Sequence, residues 1–407
     1  MGMVITIIRI TNKMKIEERL IIFLSAISIF ILSLEDFSDV RYLYLAPLIF
    51  FCFTICLYTK HRRSFLVIVF SFTSYMFIYS LLGKIGVFTF KENMATYGSF
   101  DFLESMIFKT IYVLIILSTI IYDKRIFRKS IRIVLMVHVS IFIFQTIVVY
   151  STGYYFDILN FFNGVESRYT WGVTIPIIGT TYRPTGLYVE PSTYFAMTFP
   201  LLVLSYIVDN NLTRVDRYTI LSYFLTLSFA SIIIVIMFLF LIKINKKLTL
   251  KYSWLLAFLL ISITPLFMYL YNLRTSGGYD AVGIRANLIT AIMGQDCSTL
   301  ILGNGPAGVP SSLAYIYKLK NDSWVDQGFA PINDSGLLFF IIAKFGFLGL
   351  SIVVFHIFKY GRFIKNSLVL SLVLLTKIKL TAPVFIFFIL SSLYLERKSN
   401  INCNERK

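Results

Sequence analysis

The feature that most constrains this chain is a series of apolar stretches, most of them about as long as a bilayer is thick, whose connections alternate between basic and slightly acidic. A membrane-crossing helix needs about 20 mostly apolar residues, so twelve would occupy roughly 240 positions. That agrees with a 407-residue chain that is 57% hydrophobic and only 14% charged. Soluble domains carry roughly 25% charged residues, so a large soluble enzyme, a disordered chain and a secreted disulfide scaffold are all excluded. The expected spans are 20–34, 42–59, 64–82, 106–122, 133–150, 186–208, 218–228, 230–242, 252–272, 335–358, 367–376 and 380–395. The fold class expected is an all-α integral membrane protein, one polytopic domain over residues 1–407, with some helices short or broken.

The net charge of +17 does not indicate nucleic acid, because of where the charge sits. With the N-terminus inside, the basic clusters Lys60–Arg63, Lys124–Arg132 and Lys243–Lys251 all fall on the cytoplasmic side, and the outer connections are slightly acidic. This is the positive-inside asymmetry that sets orientation. The same clusters are also suited to anionic lipid headgroups. Both termini are expected in the cytoplasm. The first span follows Arg9, Lys13, Lys15 and Arg19 without a small-residue cleavage site, and reads as an uncleaved anchor.

Charge also divides the stretch Tyr218–Ile242. Arg214 and Arg217 precede it and Lys243, Lys246 and Lys247 follow, so a single crossing would leave one basic cluster outside. Two half-spans turning near Ser228–Ser231 keep both inside. Lys377 and Lys379 impose a similar turn near the end of the chain. Interrupted helices at membrane depth persist where they pack in protein or line a wet cavity.

The four cysteines and three histidines show neither metal-ligand spacing nor an outer disulfide pair, so no cofactor and no metal are expected. Chemistry-bearing residues gather instead in two long outer loops, 151–185 and 273–334. Both carry tyrosines and tryptophans among Arg168, Arg183, Arg274 and Arg285, with Tyr182 beside Arg183. Aromatic faces beside guanidinium forks suit a sugar joined to phosphate. An interfacial aromatic belt is the plain alternative.

Three local patterns stand out. In Arg183-Pro-Thr-Gly-Leu-Tyr-Val-Glu190-Pro-Ser192 the prolines and glycine prevent a regular helix start. Glu190, partly desolvated, is expected to have a raised pKa and act as a general base; the alternative is an Arg183–Glu190 ion pair that caps the span. In the Ala281–Ile292 segment, Arg285 shares a helical face with Leu288, Ile289 and Ile292. That face suits a helix lying on the membrane and holding a lipid-borne phosphate, or an arginine that snorkels. Third, Gly303 and Gly305 form a tight turn whose amides are expected to approach an anion. The Asn333-Asp334 pair and Lys344, a charge near the middle of a span, follow. Lys344 is expected either to face an interior cavity or to snorkel outward.

In this order and spacing, the three patterns resemble those of the O-antigen polymerase and O-antigen ligase superfamily, polytopic bacterial membrane glycosyltransferases. The resemblance is clearest over Tyr182–Leu350, and Arg168 to Gly179 fits the polymerases' Arg-x10-Gly pattern; the second loop lacks it, with Asp296 at the corresponding position. Ligases place a histidine where this chain has Ile332, so the polymerase branch fits better. The resemblance implies polymerisation of polyprenyl-pyrophosphate-linked repeat units into an O-antigen- or capsule-type surface polysaccharide at the outer face of the cytoplasmic membrane, without a metal. The implied partners are the lipid-linked oligosaccharide, membrane lipid, a chain-length regulator and a flippase. The residues then expected at the reaction are Glu190, Arg183, Arg285 and Asp334. Arg168, Arg274, Gly303, Gly305, Asn333, Lys344 and Tyr182 would bind substrate. Ligase-like transfer and lipid-linked oligosaccharide flipping are the alternatives.

Overall fold

A computed structural model describes residues 19–34, 109–110, 112–114, 116–117, 120, 123–175, 179–243, 281–305, 308–313, 332–360 and 364–392. The expected spans 42–59, 64–82 and 252–272 lie outside the described residues, as does Arg274. The described chain is mostly helical. Three of its helices are long and apolar enough to cross a membrane: Lys124–Thr152, Pro191–Asp209 and Leu337–Phe358.

Helix α1 covers Arg19–Ser33. Helix α2, Lys124–Thr152, starts where the Asp123 carboxylate accepts from the amides of Arg125 and Ile126, and ends at Gly153 in the left-handed region. Its 29 residues extend roughly 43 Å, longer than the ~30 Å hydrocarbon layer, so its basic first turns project past the apolar core. Ile131, Leu135, His138, Phe142, Gln145 and Val149 lie on one buried stripe. The opposite stripe exposes Met136, Phe144, Ile147 and Tyr150, an apolar face suited to lipid.

The expected loop 151–185 is more ordered than an all-α fold implies. It holds the short helix α3, Ile158–Asn163, and an antiparallel hairpin of β1, Thr170–Ile175, and β2, Gly179–Tyr182. Threonine, valine, isoleucine and the aromatics that populate these strands favour pleated backbone, and no helical period competes there.

Helix α4, Pro191–Asp209, begins five residues later than the expected start at 186. Gly186 has φ +65°, with the Tyr194 ring 3.0 Å from where a Cβ would sit, and Pro191 supplies a preset first turn. Helix α4 is apolar and buried almost all round, so it forms the centre of the bundle. Against it pack α2, then α5 (Arg214–Leu225), α6 (Phe229–Lys243) and α10 (Ile364–Ser371) with the tight turn Leu372–Leu375. Helices α7 (Ala281–Met293) and α8 (Cys297–Leu302) pack on α9 (Leu337–Tyr360), which also meets α10, and α11 covers Pro383–Ser392.

Both expected interruptions are present. Between α5 and α6 the helix stops at Thr226–Ser228, with Leu227 at φ +50°. Between Leu375 and Pro383 the backbone is again non-helical. The two breaks are built alike. Thr226 Oγ1 donates to Tyr223 O (2.6 Å) and accepts from the Ser228 amide (3.3 Å). Thr376 Oγ1 donates to Val373 O (2.8 Å) and accepts from the Ile378 amide (3.4 Å). In each case one hydroxyl partners backbone groups that the missing turn would otherwise strand.

Candidate functional site

The motif 183–190 is tied to the membrane helices by a residue that its own pattern does not include. Gln145 of α2, fully buried, accepts at Oε1 from the Gly186 amide (2.8 Å) and donates from Nε2 to Gly186 O (2.9 Å) and Phe156 O (3.0 Å). Tyr155 Oη accepts from the Thr185 amide (3.0 Å) and donates to Gln145 Oε1 (3.1 Å). These bonds hold the extended segment at the end of α2, so Glu190 stands at the first turn of α4.

Around Glu190 the structure assembles charges from four separate stretches of chain. Arg168 Nη1, just before the hairpin, donates to Glu190 Oε1 at 2.6 Å. Lys377 Nζ, in the second helix interruption, donates to Glu190 Oε2. Ser192 Oγ donates to the same oxygen at 3.1 Å. Lys377 Nζ also lies 4.0 Å from Asp334 Oδ1, in the tight turn Ile332–Ser335. Separately, Arg183 Nε donates to Thr226 O, in the first interruption, at 3.3 Å. Glu190 and Lys377 side chains are 23% and 16% exposed, whereas Arg168 is 70% exposed. The cluster is therefore anchored inside and open at one cation.

This geometry corrects the expectation for Glu190. Burial pushes its carboxyl upward, but Lys377 and Arg168, with the Ser192 hydroxyl, outweigh that and hold it at about 2. Glu190 in this state is an ion-paired carboxylate rather than a group poised to accept a proton. Its partners are Arg168 and Lys377, neither of which belongs to the Arg183–Ser192 motif.

The loop tyrosines stack on one another. Tyr155 and Tyr169 stack 4.1 Å apart at 5°, and the Tyr182 ring lies nearly parallel to Tyr169 with centroids 6.3 Å apart. Tyr150 meets Tyr182 edge-on and donates to its carbonyl at 2.9 Å.

The glycine turn and Lys344 form a second assembly with a different character. Helix α9 is broken at Gly346 (φ +65°, ψ −172°), which releases carbonyls in the preceding turn. The amides expected to approach an anion take these up: Asn304 N donates to Ala343 O (3.0 Å) and Gly305 N to Lys344 O (2.9 Å). The Asn304 side chain adds a bond to Ala343 O (2.7 Å) and one to Gln295 (2.7 Å). A Cβ on Gly303 would lie 2.4 Å from Lys344 O, and one on Gly346 2.1 Å from Ile301 O. These glycines let two backbones touch. Lys344 is 7% exposed; its ammonium donates to Gly308 O at 2.5 Å and lies 5.7 Å from the Phe340 ring centroid. It does not snorkel outward, because it is buried and a carbonyl of the docked turn takes its charge. Lys109 behaves similarly, donating to Thr381 O in the second interruption at 3.2 Å.

Arg285 sits on α7, whose apolar face is not laid on lipid. Leu288 and Ile292 are fully buried and cluster with Leu313, Ile332, Phe340, Ile342 and Ala343. This face packs α7 onto α9 and the Ile332–Ser335 turn, so the element bearing Arg285 adjoins the one bearing Asp334. Arg285 is half-buried, and among the described residues no carboxylate lies within 4.0 Å of its guanidinium. Asn333 is in the same turn, its side chain outside the described residues. Arg168, Glu190 and Asp334 thus meet through Lys377, with Arg183 and Tyr182 on the flanking segment, while Gly303, Gly305 and Lys344 belong to the packing of α8 on α9. Sequence spacing missed Lys377 and Gln145. The basic turn before Pro383 pointed to Lys377; one glutamine in an apolar helix was the only sign of Gln145. Among the described residues, no group of three or more His, Cys, Asp or Glu side chains is placed to hold a metal ion.

Compared with known protein families, curated proteins and solved structures, the chain matches none.

Proposed function

We propose that the protein is a membrane glycosyltransferase that extends a glycan carried on a polyprenyl pyrophosphate, at the extracytoplasmic mouth of α4. The observation that carries this reading is a partly buried carboxylate, Glu190, shared between an exposed arginine and a lysine from a distant helix interruption. Cations brought together from separate segments suit a diphosphate, and Arg168, Lys377, Arg183 and Arg285 are assigned to its oxygens. Ile332, at the position where the ligases carry histidine, is buried among apolar side chains, which favours polymerisation over ligation.

In the proposed step an acceptor hydroxyl oxygen attacks the anomeric carbon of the lipid-linked donor. The bond from that carbon to the pyrophosphate oxygen breaks, and the electron pair leaves with polyprenyl pyrophosphate. The cations stabilise the charge developing on that leaving group. The hydroxyl proton goes to a carboxylate. Glu190 is a weak base while both cations hold it, but a bound diphosphate draws Lys377 and Arg168 toward itself. Burial then dominates at Glu190, its pKa rises, and it becomes competent to take the proton. Asp334, beside Lys377, is the second acceptor.

The test is purified protein in liposomes supplied with a lipid-linked repeat unit. Elongated product from the native chain and none from Arg183→Ala, at equal folded protein, supports the assignment; equal elongation by both refutes it. Two interrupted helices at membrane depth are also a transporter trait, so a flippase is the second reading. Translocation of the unit without elongation would establish that instead.

A further inference from the structure

We infer that the short helix α3 is an interfacial anchor. Phe161 and Phe162 dip into the outer boundary of the bilayer, and the helix fixes the height of Arg168 above it. The two rings are 78% and 67% exposed, in contact edge-to-face, on a helix with no charged residue. Its other side is committed, since Leu159 is fully buried. Apolar rings this exposed are an unusual liability in water, whereas aromatic side chains concentrate at the membrane boundary.

The lipid is chosen as occupant because this patch continues a surface that already faces it. Phe144, Ile147 and Tyr150 line the exposed stripe of α2, and Phe156 in the loop packs edge-on against Phe144 at 6.0 Å. Helix α2 ends at Thr152, only six residues before α3 begins, so α3 lies at the level where that stripe leaves the hydrocarbon.

A single carboxylate links the anchor to the charged cluster. Asp157 caps α3 by accepting from the Asn160 amide (3.0 Å). Its other oxygen accepts from the Ser167 amide (2.7 Å) and hydroxyl (2.6 Å). Ser167 directly precedes Arg168, whose guanidinium holds Glu190. The height of α3 is thereby passed to the exposed cation of the site. This inference needs no catalytic activity and stands independently of the glycosyltransferase reading.

The experiment places nitroxide labels at Phe161→Cys and at Glu166→Cys, in a chain whose four native cysteines are serine, reconstituted in phosphatidylethanolamine–phosphatidylglycerol vesicles. The label at 161 is expected to collide with oxygen severalfold more, relative to a water-soluble nickel chelate, than the label at 166. Equal ratios at the two positions overturn the anchor. A label at 161 shielded from both reagents means that protein covers the patch, and overturns it too. In the otherwise native chain, Phe161→Ser with Phe162→Ser should raise amide exchange severalfold across residues 157–168 in the same vesicles. Unchanged exchange there would overturn the coupling.

Discussion

Two lysines, Lys344 buried and Lys377 partly buried, answer the same physical problem in opposite ways. Lys344 and Lys377 both sit where water is scarce, and both are held by short contacts. Lys344 gives its charge to a backbone carbonyl of a turn that is itself docked by four further backbone and side-chain bonds. Nothing in that assembly can exchange without undocking α8 from α9. Lys377 gives its charge to a carboxylate that also holds an exposed arginine and stands near a second carboxylate. Any one of those ion pairs can be traded for a bond to an incoming anion while the rest persist. A charge neutralised by backbone is built to stay, and a charge neutralised by other charges is built to be competed for. The first arrangement serves packing and the second can serve chemistry.

The strongest attack on the closed assembly is at its glycines. Gly303→Ala puts a methyl 2.4 Å from Lys344 O at φ +82°, and Gly346→Ala puts one 2.1 Å from Ile301 O at φ +65°. Each is expected to destabilise the protein by about 4 kcal/mol, since strain at a special backbone angle adds to an overlap that neither backbone can relieve. Thermal melting in detergent measures this, and a melting temperature within a few degrees of native for both would mean that the turn is not docked.

The open assembly should respond next. Glu190→Gln leaves the partly buried Lys377 against a neutral amide, a loss on the order of 3 kcal/mol. Adding Lys377→Met should recover much of that stability while elongation stays absent. Recovered elongation would make the cluster a structural device like the first. The same pair predicts acid behaviour. The Glu190 carboxyl, depressed to about 2 from an ordinary 4.5, contributes stability that is fully present above that ordinary value. It is lost as pH falls from 4.5 through 2, and the Glu190→Gln variant should lack this component of the acid transition.

Lys344→Met comes third. It removes one donor to Gly308 O and the contact with Phe340, for a loss of about 1–2 kcal/mol, with elongation per folded molecule unchanged. Abolished elongation in well-folded Lys344→Met would erase the contrast between the two lysines.

How much of this was legible beforehand follows the range of the interactions. Local signals were strong. The apolar stretch 133–150 lies within α2, the prolines of the 183–192 motif mark an extended segment ahead of α4, and the basic flanks of Tyr218–Ile242 bracket a break. Charge put that break near Ser228–Ser231; it falls at Thr226–Ser228, with Phe229 already helical. Glu190 was legible as unusual, but its chemistry was not, because its partners lie 22 positions before it and 187 after. The raised pKa expected from burial was sound as far as burial went; a lysine supplied by another helix break reversed the sign. The glycine turn failed similarly. Glycine-rich spacing reports that something approaches closely, and here the approaching group is the carbonyl of α9, not an anion. Arg285 on an apolar face suggested lipid, but a face of that kind fits a protein neighbour equally well. The hairpin in the loop was hidden because its strands are short and their pairing is irregular between Thr170 and Thr174.

The smallest expected effect on stability is the most discriminating for function. Arg168 is 70% exposed, so Arg168→Ala should cost less than about 1 kcal/mol, as solvent-screened ion pairs do. If the exposed cation exists to be traded to a diphosphate, its loss should weaken donor binding well beyond that small structural change. Arg168→Lys keeps the charge but not the planar fork, and should recover only part of the binding, because a point charge cannot grip two oxygens in parallel. The checking measurement is donor concentration at half-maximal elongation, beside melting temperature, for the native chain and both variants. An unchanged half-maximal concentration in Arg168→Ala would mean that the open end of the cluster faces nothing, and the distinction between the two lysines would then describe only how each is neutralised.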